Sequence, residues 1–345
     1  MKVTTAFRDG IRRVNGAPMV LVGMFSVTLL IALPLSYALR GMIATHFGPS
    51  LAADSAAAGA NYDWWQEFSA QATGLGTTFV PSIVGFGAVL DNLSGLLDNL
   101  PVASTIAGVT AAWLVVWSFL SGGVIDRLAR ARRTRSLGFF GACGMHFWRL
   151  LRLGACGWLF YWILFTYLHG WIFTAWLPRL TRDVTAERTA FAVRLLGYAI
   201  FGVLVVVVNV VFDYARVRLV VEDRRGGIGA LAAGIRFVAR HAASVLGLYA
   251  VNAVAFLVLV TIYAVVATRA PGAGLSMWLT LAVAEGYILA RHYLKLLFYA
   301  SETAFFQGAL AHAGYTAAPA VVWPDSPAAE TIVNADPAAL PERWR

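Results

Sequence analysis

The stretch GGIGALAAGIRFVARH (226–241), followed at once by AASVLGLYAVNAVAFLVLVTIYAVVA (242–267), decides the class of this chain. In the first part Ile228, Leu231, Ile235 and Val238 recur at steps of three and four, which puts them on one stripe of a helix. Arg236 and Arg240, four apart, share another face. The second part runs for 26 residues without a charge. At about 1.5 Å per residue it is long enough to cross the ~30 Å hydrocarbon layer of a bilayer. The pattern describes a helix that lies on a membrane surface, turns and enters the membrane.

Composition extends this reading to the whole chain. Of 345 residues, 59% are hydrophobic and 13% charged, and mean hydropathy is +0.69. Soluble domains carry about 25% charged residues. The net charge of +9 does not indicate nucleic acid, because the arginines gather in short loops beside apolar runs and no nucleic-acid motif accompanies them. Anionic lipid headgroups are the partners that such clusters suit. Cys143 and Cys156, with twelve residues between them and no nearby histidine pairs, give neither a disulfide framework nor a zinc site.

Six spans are expected, at about 17–39, 102–125, 153–177, 195–212, 242–267 and 275–297. The first is too long for a signal-peptide core. With both termini inside, seventeen lysines and arginines fall in inner segments and six in outer ones, before Arg291, Lys295 and the tail are assigned. That bias sets the orientation. The outer segment 41–101 has no lysine or arginine. Within it Asn61 can cap a short helix bearing Trp64, Trp65 and Phe68, expected as anchors at the outer interface. Leu90, Leu93, Leu97 and Leu100 line a second helix, with Asp91 and Asp98 on another face. From Ala311 the chain turns Ala- and Pro-rich, as a flexible cytoplasmic tail over 311–345.

An internal repeat is legible at low resolution. AFRDGIRRV (6–14), ACGMHFW (142–148) and AAGIRFVAR (232–240) align at Gly10, Gly144 and Gly234, and His146 takes the arginine position. Each precedes an odd-numbered span. The matching even-numbered spans end near Asp126, Asp213 and Glu302. The expected fold is therefore all-α and integral to the membrane: three hairpins, each entered through an interfacial amphipathic elbow helix. In this scheme the glycine permits tight packing and the exit acid accepts bonds from arginines of a neighbouring elbow. The run FDYARVRLVVEDRRGGIGALAAGIRFVARH (212–241) also resembles elbow segments of bacterial multi-pass proteins related to the membrane domain of glycerophosphodiester phosphodiesterases. The resemblance implies a membrane fold and a bacterial cytoplasmic membrane, and carries over no activity.

Candidate chemistry is sparse. Glu285 falls mid-span, where an acid costs about 2.5–3.5 kcal/mol on the insertion scale, close to what the apolar residues around it supply. It is expected to face the bundle interior, near His292, Arg291 and Lys295, with Asn209 and Asn252 as hydrogen-bond partners. Lone His169 reads as a core residue ahead of a haem or chlorin ligand. Phosphate-loop, nucleophile-elbow and H-E-x-x-H motifs are absent from the sequence. The expectation is a non-enzymatic accessory or scaffold protein with a protein partner in the membrane and no metal or cofactor. The alternative is a transporter or lipid-handling protein with its site around Glu285.

Overall fold

The computed structural model describes residues 1–58, 61–80, 86–102, 104–130, 134–224, 226–267 and 274–310. The expected tail (311–345), Arg132, Arg133, Arg225 and Arg269 lie outside them. Every described element is helical. In order these are α1 (Val3–Asn15), α2 (Pro18–Phe47), α3 (Ala52–Ala58), α4 (Tyr62–Gln71), α5 (Phe86–Leu97), α6 (Ser104–Arg130), α7 (Ser136–Ile163), α8 (Leu177–Thr181), α9 (Glu187–Val221), α10 (Gly227–Arg240), α11 (Ala242–Val266) and α12 (Leu275–Ala309). Two π-helical turns, Leu164–His169 and Trp171–Trp176, join α7 to α8, so 136–181 is one unbroken rod.

Among the described residues five helices are long and apolar enough to cross a membrane: α2, α6, the 136–181 rod, α9 and α11. The sixth expected span, α12, is as long as α9, but its polar residues leave it outside that group. The segment around Gly144 also departs from expectation. It forms no separate elbow but is the first four turns of α7, because no helix-breaking residue separates it from the apolar run that follows.

The core sits at the basic end of the bundle, where α6, α9 and α12 finish. Ile125, Leu128, Tyr214, Leu219, Leu296, Phe305 and Phe306 are fully or almost fully buried there. Burying each such side chain stabilises the fold by about 1.5–3 kcal/mol. Three segments wrap this core: α1 packs on α12, the start of α7 on α6, and α10 on α9. Small residues make each approach possible. Ala6, Gly10 and Val14 form the buried stripe of α1, and a β-carbon at Gly10 would lie 2.9 Å from Ser301 N. At Gly234 it would lie 3.2 Å from Val211 O.

Gly144 breaks the pattern, since a β-carbon there would meet nothing within 4 Å. In that pair the close approach is made by the opposite helix, through Gly122 and Gly123 of α6. A β-carbon at Gly123 would lie 2.8 Å from Phe139 O. The arginines depart from expectation too. Asp126 accepts from Arg130 (2.8 Å) and Asp213 from Arg216 (2.7 Å), each on its own helix. The elbow arginine Arg13 instead donates to Leu128 O (3.0 Å) and Gln307 Oε1 (2.7 Å).

At the opposite end, α4 starts as the sequence suggests, with Asn61 Oδ1 accepting from Trp64 N at 3.0 Å. Trp64 and Phe68 are buried rather than membrane-facing, because they stack on Phe47 and on each other at the end of α2. Only Trp65 keeps part of its surface open. Helix α5 ends in a Schellman turn at Asn99, whose φ is +53°. It docks on the bundle through Asp98 with the Tyr198 hydroxyl and His169 Nε2 with Leu97 O (2.9 Å). Asp98 thus meets a tyrosine rather than an arginine, with Arg194 over the same ring.

Two expectations follow. Gly10→Val is expected to lower stability by about 1–3 kcal/mol through overpacking, whereas Gly144→Ala is expected to be neutral or stabilising by about 0.5–1 kcal/mol. Thermal unfolding of the detergent-solubilised protein checks both. Hydrogen bonds from Tyr198 and then Ser94 hold the Asp98 carboxyl below the ordinary carboxylate range. Its contribution to docking is therefore present at neutral pH and is lost as pH falls below about 4 through the lowered value. Hydrogen exchange across 86–100 is expected to quicken over that range, and Asp98→Asn to remove the pH dependence.

Candidate functional site

Most charged side chains of this chain sit near helix ends, but one polar cluster is held deep between helices. On α9, Asn209, Asp213 and Arg216 are spaced by four and three and share a face. On α12, Lys295, Tyr299 and Glu302 repeat that spacing. The two faces meet, with Tyr161 of α7 and Tyr249 of α11 closing the sides. Arg216 Nη1 donates to Asp213 Oδ1 (2.7 Å) and lies 3.2 Å from the Tyr299 hydroxyl. Asn209 Nδ2 donates to Asp213 Oδ2 (3.0 Å), so both carboxylate oxygens are used. Longer contacts of 3.4 Å join Asn209 to the Tyr249 and Tyr161 hydroxyls. The Asp213 side chain is 9% exposed and that of Arg216 25%.

Lys295 completes the cluster without an acidic hydrogen-bond partner among the described residues. Its Nζ stands 3.6 Å from the ring centroid of buried Trp117 and 5.9 Å from that of Trp113, both on α6. A desolvated cation–π contact of this kind stabilises by about 2 kcal/mol. Toward the basic end, Glu302 Oε2, Tyr214 Oη and Thr303 Oγ1 are buried without a hydrogen-bond partner.

The residues singled out in the sequence divide between this cluster and other places. Asn209 and Lys295 belong to it, as do the exit acids Asp213 and Glu302. Asn252 does not, because it donates to Ser301 Oγ (3.0 Å) and Leu248 O (3.1 Å). Glu285 lies almost three turns before Lys295 on α12, half-buried, and joins no polar group among the described residues. The reason is depth: Asn209 and Asn252 face the level of Asp213 and Ser301. His292 Nδ1 contacts Ile288 O (2.8 Å) and Nε2 contacts Thr28 of α2 (2.9 Å), while Arg291 is exposed. His169 is enclosed by Phe165, Phe173 and Phe201. Asp126 stands apart, beside buried His146 in a cavity of about 280 Å³ at the basic end.

Arg216, Tyr161, Tyr249, Tyr299, Trp113 and Trp117 were not singled out by sequence reasoning. Arg216 reads there as one more topology charge and the aromatic residues as interface anchors. The i, i+4, i+7 spacing shared by α9 and α12 is the signal that could have found Arg216 and Tyr299, and nothing comparable marks the other four. Among the described residues no group of three His, Cys, Asp or Glu side chains is arranged to hold a metal ion. No nucleophile–base pair occurs in the cluster either. Its chemistry is that of a fixed ion pair beside a second, unmatched cation. No family model, characterised protein or solved structure matches the chain.

Removing one partner of a buried ion pair leaves the other charge uncompensated. Asp213→Asn is therefore expected to cost on the order of 3 kcal/mol. Asp223→Asn, which removes an exposed partner of Arg149 at a left-handed position that asparagine tolerates, is expected to cost about 1 kcal/mol or less. Parallel thermal unfolding of the two variants in detergent measures the difference.

Proposed function

We propose that this chain is a six-span protein of a bacterial cytoplasmic membrane with both termini inside, and that it acts without catalysis, as an accessory or scaffold component that assembles with another membrane protein. The count takes α12 as the sixth span, whose acid and bases are carried by packing against five neighbouring helices. The inside assignment follows the arginine bias. The packing of α1, α7 and α10 at one end supports three related units, although the second has fused its elbow to its span. On α10 the stripe read from the sequence is divided: Leu231 and Val238 pack on the core, while Ile228 and Ile235 are exposed beside Arg236 and Arg240. Outward isoleucines flanked by arginines suit the inner leaflet and its anionic headgroups.

The observation that carries the assembly reading is the state of α2. Of its 30 residues only Met24 is buried, and Leu30, Leu33 and Tyr37 are more than half exposed. In lipid, helices associate through close packing and interhelical hydrogen bonds. Among the described residues its apolar run has one such bond, between Thr28 and His292, a second falls at its far end, from Trp64 to His46, and there is little packing within its own chain. A partner helix supplies what is missing. A transport site centred on Glu285 has less support, since the polar groups gather around Asp213 instead.

Photo-crosslinking in native membranes tests the proposal, with a photoreactive residue at position 30, 33 or 37. One discrete protein adduct, recovered with the same partner by mild-detergent purification, is the expected outcome. Lipid adducts alone at all three positions would overturn it.

A further inference from the structure

The cation at Lys295 carries an inference that goes beyond the assembly role and does not depend on it. Its ammonium has three donors and, among the described residues, only the faces of Trp117 and Trp113 before it. The charges close enough to act on it are Arg216, Asp213 and Arg291, two of them also positive. Asp213 is no free counter-ion, because Arg216 and Asn209 already occupy its two oxygens. Lys295 and Arg216 therefore stand beside one fully engaged carboxylate, and Glu302, the other acid of the cluster, lies two turns beyond Lys295 on α12 and is not among the charges acting on it.

Depth and access define what could answer this charge. One turn before Lys295, His292 meets Thr28, ten residues into α2. At 1.5 Å per residue that level is about 15 Å from the start of the helix. Toward the basic end the way is closed by Ile125, Leu128, Leu296 and Ala300, all buried without remaining surface. Trp113, Tyr161, Lys295 and Arg216, by contrast, all keep part of their surface open. The site is shut toward the arginine-rich face, and the side chains at its rim are partly exposed.

We propose that Lys295 and Arg216, over the tryptophan faces of α6, bind the carboxylate or phosphate head of a membrane amphiphile that enters from between the spans. The oxyanion accepts from Lys295 Nζ and from the guanidinium edge of Arg216 that Asp213 does not use. Tyr161 lies at the edge of the site, and the apolar chain extends along the exposed flanks of the bundle. Lys295 fixes the charge preference, while Trp117 orients the ammonium.

The test uses the full chain in detergent, stripped of lipid, with binding read by native mass spectrometry and by the unfolding temperature. The probes are oleate, phosphatidate, oleyl alcohol and inorganic phosphate. Oleate or phosphatidate is expected to bind at least tenfold tighter than oleyl alcohol, with inorganic phosphate far weaker. The preference should fall by tenfold or more in Lys295→Met, persist in Lys295→Arg and be unchanged in Glu285→Gln. Equal binding of oleate and oleyl alcohol, or an undiminished preference in Lys295→Met, overturns the site. Phosphate binding as tight as that of the lipids overturns the membrane origin of the ligand. Should Lys295→Met fail to accumulate, bromostearate and a brominated alcohol are compared on the wild type by tryptophan quenching, and equal affinities overturn the site just as well.

Discussion

A helix can approach another closely only where neither side chain intervenes, and this bundle depends on that constraint at its basic end. Gly10 lies directly against the backbone of Ser301, Gly234 against Val211 and Ala215, and Gly123 against Phe139. With the backbones so near, the basic ends of α6, α9 and α12 converge, and large side chains such as Tyr214, Phe305 and Phe306 are sealed from the surface. The same convergence forces Asp213, Arg216 and Tyr299 together. The tight packing and the polar cluster are thus two results of one geometry.

The other end is built on a different principle. There aromatic stacking on the end of α2 stands beside small-residue contacts at Gly76 and Gly197 that meet side chains rather than backbone. Trp64, Phe47 and Phe68 form their own small core, and the α5 region is tied to the bundle by hydrogen bonds rather than by buried area. Stability is therefore unequal along the helix axis. The basic end has the cooperative core, and the cap end is held by a few separable contacts.

How much of this was legible in the sequence depends on the range of the interaction. The 242–267 run became α11, at Ala242–Val266, almost without adjustment, and the α4 cap at Asn61 was readable, because both are set by neighbours in the chain. Gly10 and Gly234 were found through spacing. Gly144 was mistaken, because a short motif cannot say which of two facing helices supplies the small residue. Glu285 drew attention as a mid-span acid, yet the polar cluster lay about three to five turns further along α12. Which tyrosine or arginine meets Asp213 depends on how far α9 and α12 slide past each other, and local sequence contains no measure of that offset. Trp64 and Phe68 were taken for anchors since amphipathic patterning does not reveal whether an apolar face meets lipid or protein.

The seating of α1 on α12 has a consequence for biogenesis. Arg13 and its acceptor Gln307 are 294 positions apart, so a helix made early must wait for a partner made nearly three hundred residues later. At ordinary translation rates of about 5–20 residues per second the delay is on the order of tens of seconds. Throughout that interval the stripe of Ala6, Gly10 and Val14 has no permanent seat. The helices made in between must find their places while the partner of α1 is still to come, and this seat closes only when α12 arrives.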